Sequence, residues 1–190
     1  MNKNDHHVSR AAVLCSVLLT MATPALAKEV EGVAIADTVT VADQTLKLNG
    51  AGLRSKAIFK VYVGSLYVAT PSHDPAKLLA SDTPRRQVMH FLRDVDAAAI
   101  VGAWREGFSA NAAPEALKGR LDTFCSFWRD MKQGDEAAMT YVPGTGLSLT
   151  INGKSVGKPL PGKEFADAVL HGWIGAKPPS EELKKGVLGR

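Results

Sequence analysis

The sequence predicts an α+β protein with a mainly antiparallel β-sheet. Short segments rich in Val, Ile, Thr, Phe and Tyr are separated by Asn, Gly and Pro turns, which is typical of strands and hairpins. In other segments, apolar residues recur at the three- and four-residue spacing of helices. Strand-like and helix-like segments are clustered along the chain instead of alternating one by one. That clustering favours α+β over a parallel α/β sheet.

The composition is that of an ordinary globular protein. The chain has 190 residues and a formal net charge of +4, and 45% of its residues are hydrophobic. This length favours a single domain. Lys and Arg are scattered along the chain, so we expect no nucleic-acid partner in spite of the basic balance.

The first 27 residues have the pattern of a secretory signal peptide. A polar start precedes the apolar run 11–21, which is shorter than the roughly 20 residues of a membrane-spanning helix. The small-x-small motif Ala25-Leu26-Ala27 follows it. We therefore predict cleavage after Ala27, a single mature domain over residues 28–190, and a periplasmic or secreted location without a membrane span.

The chain is organised around the stretch from Gly50 to Val68. A hairpin of strands 39–41 and 45–48 precedes it, and Asn49-Gly50 is predicted as a turn. The stretch continues as a run of Val, Ile, Phe and Tyr in which neither period-2 face is cleanly polar. Such a run predicts a central strand buried on both faces. Residues 28–33 are predicted as an irregular lead-in.

The other predicted elements follow in order along the chain. They are helix 76–80 capped by Asp74, strand 85–93, helix 97–108 capped by Asp96, a helix from Pro114 to Gly134, strands 138–142, 147–151 and 155–160, helix 162–173, and helix 181–185 capped by Ser180. The last three strands form a meander with tight turns. His90 has aliphatic neighbours on its strand face, so we predict that it packs and does not bind a ligand.

The predicted helix after Pro114 carries an apolar stripe with two interpretations. Its members recur at helical spacing: Leu117, Leu121, Phe124, Trp128 and Met131. Core packing explains the stripe, and so does the floor of a ligand cavity between helices and sheet. The aromatic face from Phe165 to Trp173 is the other candidate wall of such a cavity.

Motifs of several enzyme and cofactor classes are absent. The sequence contains no Gly-x-Ser-x-Gly elbow, phosphate loop, dinucleotide fingerprint or His/Cys metal spacing. We therefore predict no cofactor and no metal site. Cys125 is the one cysteine beyond residue 27, and we expect its thiol to be buried and inert.

Arg54 is the candidate for a binding residue. It follows the glycines of Gly50-Ala51-Gly52 at the mouth of the predicted buried strand. A cation held there would serve as an anion clamp, because guanidinium forms charge-assisted hydrogen bonds to carboxylates. A surface Arg beside an ordinary hairpin is the alternative.

Two groups of motifs share an order and spacing with a known family. The first is Gly50-Ala51-Gly52-Leu53-Arg54 followed by the aromatic strand from Lys60 to Val68, and the second is Trp173-Ile174-Gly175, Pro178-Pro179 and the segment 183–189. Together they resemble the chalcone isomerase-like family, which includes chalcone isomerases, fatty-acid-binding relatives and secreted bacterial proteins. The resemblance implies an antiparallel sheet with helices packed on one face and a ligand cleft between them.

The resemblance also implies site residues. Arg54 and Tyr62 fall on the Arg and Tyr that the fatty-acid-binding branch uses on the carboxylate, whereas true isomerases have Thr at the second position. The isomerases' further Tyr and Asn would fall within residues 99–107, and their late Thr on Gly172, where this sequence has none of them. If the chain is an enzyme, Arg54 is the one catalytic candidate.

These observations predict an exported carrier of a hydrophobic small-molecule acid whose carboxylate is held by Arg54 and Tyr62. Two alternatives stay open. One is an intramolecular lyase of the chalcone–flavanone isomerase type. The other is a structural or partner-binding protein without a small ligand. The sequence indicates no oligomeric state.

Overall fold

The computed structural model describes residues 28–190, which begin with a small hairpin. The predicted signal peptide lies outside the described residues, so its cleavage stays a prediction. The hairpin consists of β1 (Lys28–Val30) and β2 (Val33–Ile35), so the irregular lead-in predicted for residues 28–33 is wrong. Seven further strands form the main sheet: β3 (Thr38–Val41), β4 (Gln44–Lys56), β5 (Phe59–Val68), β6 (Arg85–Phe91), β7 (Glu136–Val142), β8 (Gly146–Ile151) and β9 (Lys154–Leu160).

The helices are inserted between and after these strands. They are α1 (Pro75–Ala80), α2 (Ala97–Ala110), α3 (Lys118–Ser126), α4 (Lys163–Ile174) and α5 (Glu181–Val187), with a 3-10 turn over Glu115–Leu117. The seven strands pair in sequence order and every neighbouring pair is antiparallel. The predicted α+β class is therefore confirmed. Within residues 28–190, none of the helices combines the length and the hydropathy needed to cross a bilayer.

The two faces of the sheet are covered differently. Successive strand residues point to opposite faces. The larger core cluster contains buried residues from all five helices together with alternate strand residues such as Tyr62 and Leu66. The smaller cluster lies on the other face, called the open face below, and includes no helix residue: Ile35, Val41, Leu46, Ala51, Leu53, Val63, Tyr67, Val88 and Ala138. The helices thus pack on one face of the sheet, as the family resemblance implied.

The turn predicted at Asn49-Gly50 is wrong, because both residues lie inside β4. The turn into β5 lies at Ala57-Ile58 instead. The close approach of helix α5 accounts for the glycines at positions 50 and 52. A Cβ on Gly50 would lie 2.1 Å from the carbonyl oxygen of Gly186, and one on Gly52 would lie 2.8 Å from two further carbonyl oxygens of α5. The glycines therefore allow a helix to approach the strand backbone.

The long helix predicted after Pro114 ends early, at Ser126. Trp128 and Met131 lie beyond it, and Met131 forms an isolated β-bridge with Val95. All five residues of the apolar stripe are nevertheless buried. Helical spacing therefore predicted burial correctly and conformation incorrectly, because the chain after α3 packs on the same core in an irregular path.

Two of the three predicted helix caps are confirmed. The side chain of Asp74 accepts a hydrogen bond from a first-turn N–H of α1 at 2.9 Å, and Ser180 does the same for α5 at 3.2 Å. The third, Asp96, occupies the predicted N-cap position of α2, but its side chain caps no N–H group. The first N–H of α2 donates instead to Asp130 Oδ1 at 2.8 Å, a contact that comes from a distant segment.

Candidate functional site

Arg54 and Tyr62 lie directly opposite each other on β4 and β5. Opposed residues of an antiparallel pair lie side by side on one face of the sheet. Tyr62 stacks on Trp173 of α4, which identifies that face as the helix side. The structure therefore brings together the two residues that the sequence predicts for the site.

Tyr62 is a buried, neutral phenol in an aromatic environment. It is 6% exposed, and its ring centroid lies 5.9 Å from that of Phe91 and 6.0 Å from that of Trp173. Burial raises the pKa of Tyr62, although the charge of Arg54 and the contact with Trp173 offset part of the rise. The hydroxyl therefore keeps its proton over the physiological pH range and can donate a hydrogen bond.

Arg54 is half-buried at the same edge of the helix side. No ion pair formed within residues 28–190 involves its guanidinium. A guanidinium carries five N–H donors and no acceptor. Together with the Tyr62 hydroxyl on the opposed residue, it makes this position suited to an anionic oxygen.

The ligand cleft implied between sheet and helices is filled by side chains. Gly64 faces the helices so closely that an added Cβ would lie 2.6 Å from Leu183 Cδ1 and 3.0 Å from Trp173 Cη2. Phe124 packs edge to face against both Trp128 and Phe165. Both aromatic faces that were candidate cavity walls are core packing in this structure.

Two surface depressions lie away from the Arg54–Tyr62 pair. One, of about 320 Å³, is bounded by α1, α2 and α4, with Leu79, Phe108 and His171 in its wall. The other, of about 560 Å³, lies between β1, β4 and α5. Neither is lined by Arg54 or Tyr62. An apolar tail beside this pair therefore requires the helices to move apart from the sheet.

The positions that would carry the isomerase side chains present no hydroxyl or amide group to the core. The buried residues of α2 are Ile100, Trp104 and Phe108. Gly172 on α4 lies beside Trp104 and brings no side chain. The structure thus agrees with the sequence that the Tyr, Asn and Thr of the isomerases have no counterparts at these positions.

Sequence reasoning missed a buried polar network at the start of β6. Arg85 is 4% exposed, donates to Asp167 Oδ1 at 2.6 Å, and lies 4.7 Å from the ring centroid of Tyr141. Tyr141 donates in turn to Asp82 at 2.7 Å, and burial together with that carboxylate raises the pKa of Tyr141 to about 12. Nη1 of Arg85 and Nε2 of the neighbouring Gln87 have no acceptor among the described residues.

A signal for this network is present in the sequence. Arg85 and Gln87 share a strand face with Met89 and Phe91, and polar residues on such a face need partners when the face is buried. The partner, Asp167, comes from α4, far along the chain. The network joins β6 to α4 and holds the helix layer in place.

His90 and Cys125 are placed as the sequence predicted. His90 packs on the open face with Nδ1 3.6 Å from the carboxylate of Glu136, and burial lowers its pKa while Glu136 opposes the shift. Cys125 is buried, and burial raises the pKa of its thiol, which keeps it protonated. Among residues 28–190, no group of three or more His, Cys, Asp or Glu side chains is arranged to hold a metal ion.

Comparisons with known proteins agree with this architecture. A family model described as chalcone isomerase-like matches residues 27–189. Among solved structures, a fatty-acid binding protein of Arabidopsis thaliana superposes with a TM-score of 0.67 at 17% sequence identity, covering 83% of this chain and 92% of that chain. At 17% identity, this similarity shows that the two chains share a fold. A search among curated proteins found no match.

Proposed function

Because the chain belongs to the chalcone isomerase-like family, we propose that it binds a hydrophobic small-molecule acid of the fatty-acid type on the helix side of β4 and β5. The observation that carries the proposal is the direct opposition of Arg54 and Tyr62 in the sheet register. The similar solved structure is a fatty-acid binding protein, which supports this class of ligand.

The carboxylate would be held by two side chains of different character. The guanidinium of Arg54 forms charge-assisted hydrogen bonds to carboxylate oxygens, and its planar fork matches their geometry. The neutral hydroxyl of Tyr62 adds a third donor. Partial burial strengthens these bonds, because water competes less for the same groups.

The apolar tail would follow the helix side of the sheet from Tyr62. Trp173 is the side chain that a tail would displace first, because it stacks on Tyr62 and lies over Gly64, where an added Cβ would be 3.0 Å from its ring. The acid therefore selects a conformation in which α4 has moved away from β5, and part of its binding energy offsets the cost of that opening.

Titration of a long-chain fatty acid tests the proposal. We expect Arg54→Ala to weaken binding by about 2–5 kcal/mol, because the buried carboxylate is left unpaired. Tyr62→Phe should cost about 0.5–1.5 kcal/mol, the range for one ordinary hydrogen bond. The methyl ester should bind far more weakly than the acid.

Arg86→Ala is the matched control, since it removes the same charge from the open face of the sheet. It should leave the affinity unchanged. Equal affinity of wild type, Arg54→Ala and Tyr62→Phe, or of the acid and its ester, would remove the carboxylate clamp from consideration.

An isomerase activity is the second candidate, supported by the family and by Arg54. Chalcone cyclisation needs groups that order the substrate, and the α2 and Gly172 positions supply none. We expect no appreciable acceleration of the cyclisation. Robust turnover that disappears in Arg54→Ala would favour the enzyme over the carrier.

A structural or partner-binding role without a small ligand is the third candidate. It is favoured by the packed interface between helices and sheet. Native mass spectrometry of the purified protein separates it from the carrier, because a carrier is expected to retain a co-purified acid. Protein that is free of such a mass and takes up no added acid would favour the structural role.

We also propose that the first 27 residues direct export to the periplasm or the medium. The support is the sequence pattern of a signal peptide. N-terminal sequencing of protein recovered from the periplasmic fraction should begin at Lys28. Recovery of the intact chain from the cytoplasm alone would contradict it.

A further inference from the structure

The turn between β4 and β5 is apolar and exposed. Ile58 is 88% exposed and Phe59 is 51% exposed, and no other large hydrophobic side chain within residues 28–190 is exposed. Hairpin turns of this length are usually built from Gly, Asn or Asp. Here the turn residues are Ala57 and Ile58, and Ala57 adopts a φ of 51°. The segment Lys56–Lys60 is called the hairpin tip below.

Cations surround this apolar tip. Lys56 and Lys60 flank Ile58 and Phe59 and are both exposed. Arg93 lies over the Phe59 ring with its Cζ 4.4 Å from the centroid. Of these cations, Lys60 pairs with Glu31. The tip therefore presents two bulky apolar groups next to three cations.

We propose that the hairpin tip docks on a bilayer surface that contains anionic lipid. Exposed apolar side chains gain free energy when they enter the boundary between headgroups and acyl chains, and adjacent cations gain from the negative surface potential. A tip with both features on one short turn matches that boundary. Charge complementarity thus selects an anionic membrane as the partner.

Docking would also place the Arg54–Tyr62 pair beside the membrane. Lys56 pairs with Phe59 and Arg54 with Tyr62 in the same ladder, so the two pairs are two or three residues apart along the hairpin. The inference goes beyond the proposed function, because attachment of the tip needs no acid in the site. An acid carrier docked in this way would take up or release its ligand at the bilayer.

Flotation with vesicles of phosphatidylglycerol, compared with vesicles of phosphatidylcholine, tests the proposal. We expect wild type to bind the phosphatidylglycerol vesicles preferentially and to dissociate as salt is raised. Ile58→Ser combined with Phe59→Ser should lower the partition coefficient about tenfold or more. Lys56→Gln combined with Lys60→Gln should lower it roughly tenfold.

The matched control is Lys154→Gln combined with Lys158→Gln, which removes the same charge from exposed positions on β9, the far edge of the sheet. It should change the partition coefficient less than twofold. All proteins should carry the same N-terminus, because the apolar run 11–21 binds vesicles itself if it is retained. Thermal melts of the variants confirm that each is folded.

Three outcomes would overturn the inference. They are an absence of binding by wild type, an equal loss in both lysine double variants, and unchanged binding of the Ile58/Phe59 double variant. Sedimentation adds a fourth, since a dimer that dissociates in the Ile58/Phe59 variant would make the tip a contact between copies of the chain. Fatty-acid affinity is measured separately without vesicles, so failure of either proposal leaves the other standing.

Discussion

The two ends of the β4–β5 hairpin are built on opposite principles. At the base, Gly50 and Gly52 lie against α5 so closely that the strand has no room for a side chain. At the tip, Ile58 and Phe59 project into solvent although they are among the bulkier apolar residues. One pair of strands therefore serves close packing at one end and presents a surface at the other.

The base of the hairpin therefore contributes to stability, whereas its tip is available for recognition. A glycine at the base contributes to stability because it has no side chain, so that α5 can occupy the space beside the strand. A residue at the tip contacts little of the fold and is available to a partner. The Arg54–Tyr62 pair lies between these ends, where a half-buried cation meets a buried phenol.

The largest effect is expected at the base. Gly50→Ala should lower the free energy of unfolding by about 3 kcal/mol or more, because the new methyl group would lie 2.1 Å from a backbone carbonyl that cannot move alone. Urea denaturation measures this change. Gly102→Ala is the control, since its position on α2 is open, and it should stabilise the protein by about 0.5–1 kcal/mol.

A base that tolerates Gly50→Ala with a loss under about 1 kcal/mol would mean that α5 can slide on β4. In that case the base would not be the tightly packed end of the hairpin.

An intermediate effect is expected at Gly64, which lies directly opposite Gly52 on β5. Gly64→Ala should cost about 1–3 kcal/mol, because the nearest atoms are the ends of the Leu183 and Trp173 side chains, which can give more readily than backbone. The same urea titration reports it. A cost equal to that of Gly50→Ala would indicate that the helix layer is as rigid over Tyr62 as over the base, which argues against the opening that a ligand tail requires.

A smaller, pH-dependent effect is expected at His90, which lies opposite Val63 on the open face. Burial holds its folded-state pKa below the ordinary 6.5, so the unfolded chain binds the proton first. The contribution of His90 should therefore be constant above pH 6.5, and stability should fall as the pH drops below it. His90→Gln should flatten this part of the stability profile, and a profile unchanged by the substitution would contradict the assignment.

The smallest effect on stability is expected at the tip. Ile58→Ser combined with Phe59→Ser should change the free energy of unfolding by no more than about 0.5 kcal/mol, because Ile58 is almost fully exposed and Phe59 is half exposed. Denaturation midpoints check this. A loss above about 1 kcal/mol would show that the Phe59–Arg93 contact supports the fold, and the tip would cease to be a free surface.

Much of the fold follows from the sequence alone. The hairpin before residue 49, α1 with its Asp74 cap, the final meander and the Ser180 cap of α5 all depend on rules that act within a few residues. The motif series from Gly50 to Gly189 predicted the family, which the family match confirms. Arg54 and Tyr62 were predicted from the same resemblance, and their role as ligand-binding residues stays a prediction.

What the sequence by itself determined about this protein is most of its strand and helix segments and the burial of its apolar stripes. Only the tertiary structure decided what the glycines of β4 are for, where the hairpin turns, that Trp128 lies outside a helix, and that Arg54 lies beside Tyr62. The physical reason is the range of the interactions. Periodicity and caps reflect contacts between near neighbours in the chain, whereas a glycine beside a distant helix and a cation beside a cross-strand phenol depend on segments that meet only in the folded protein.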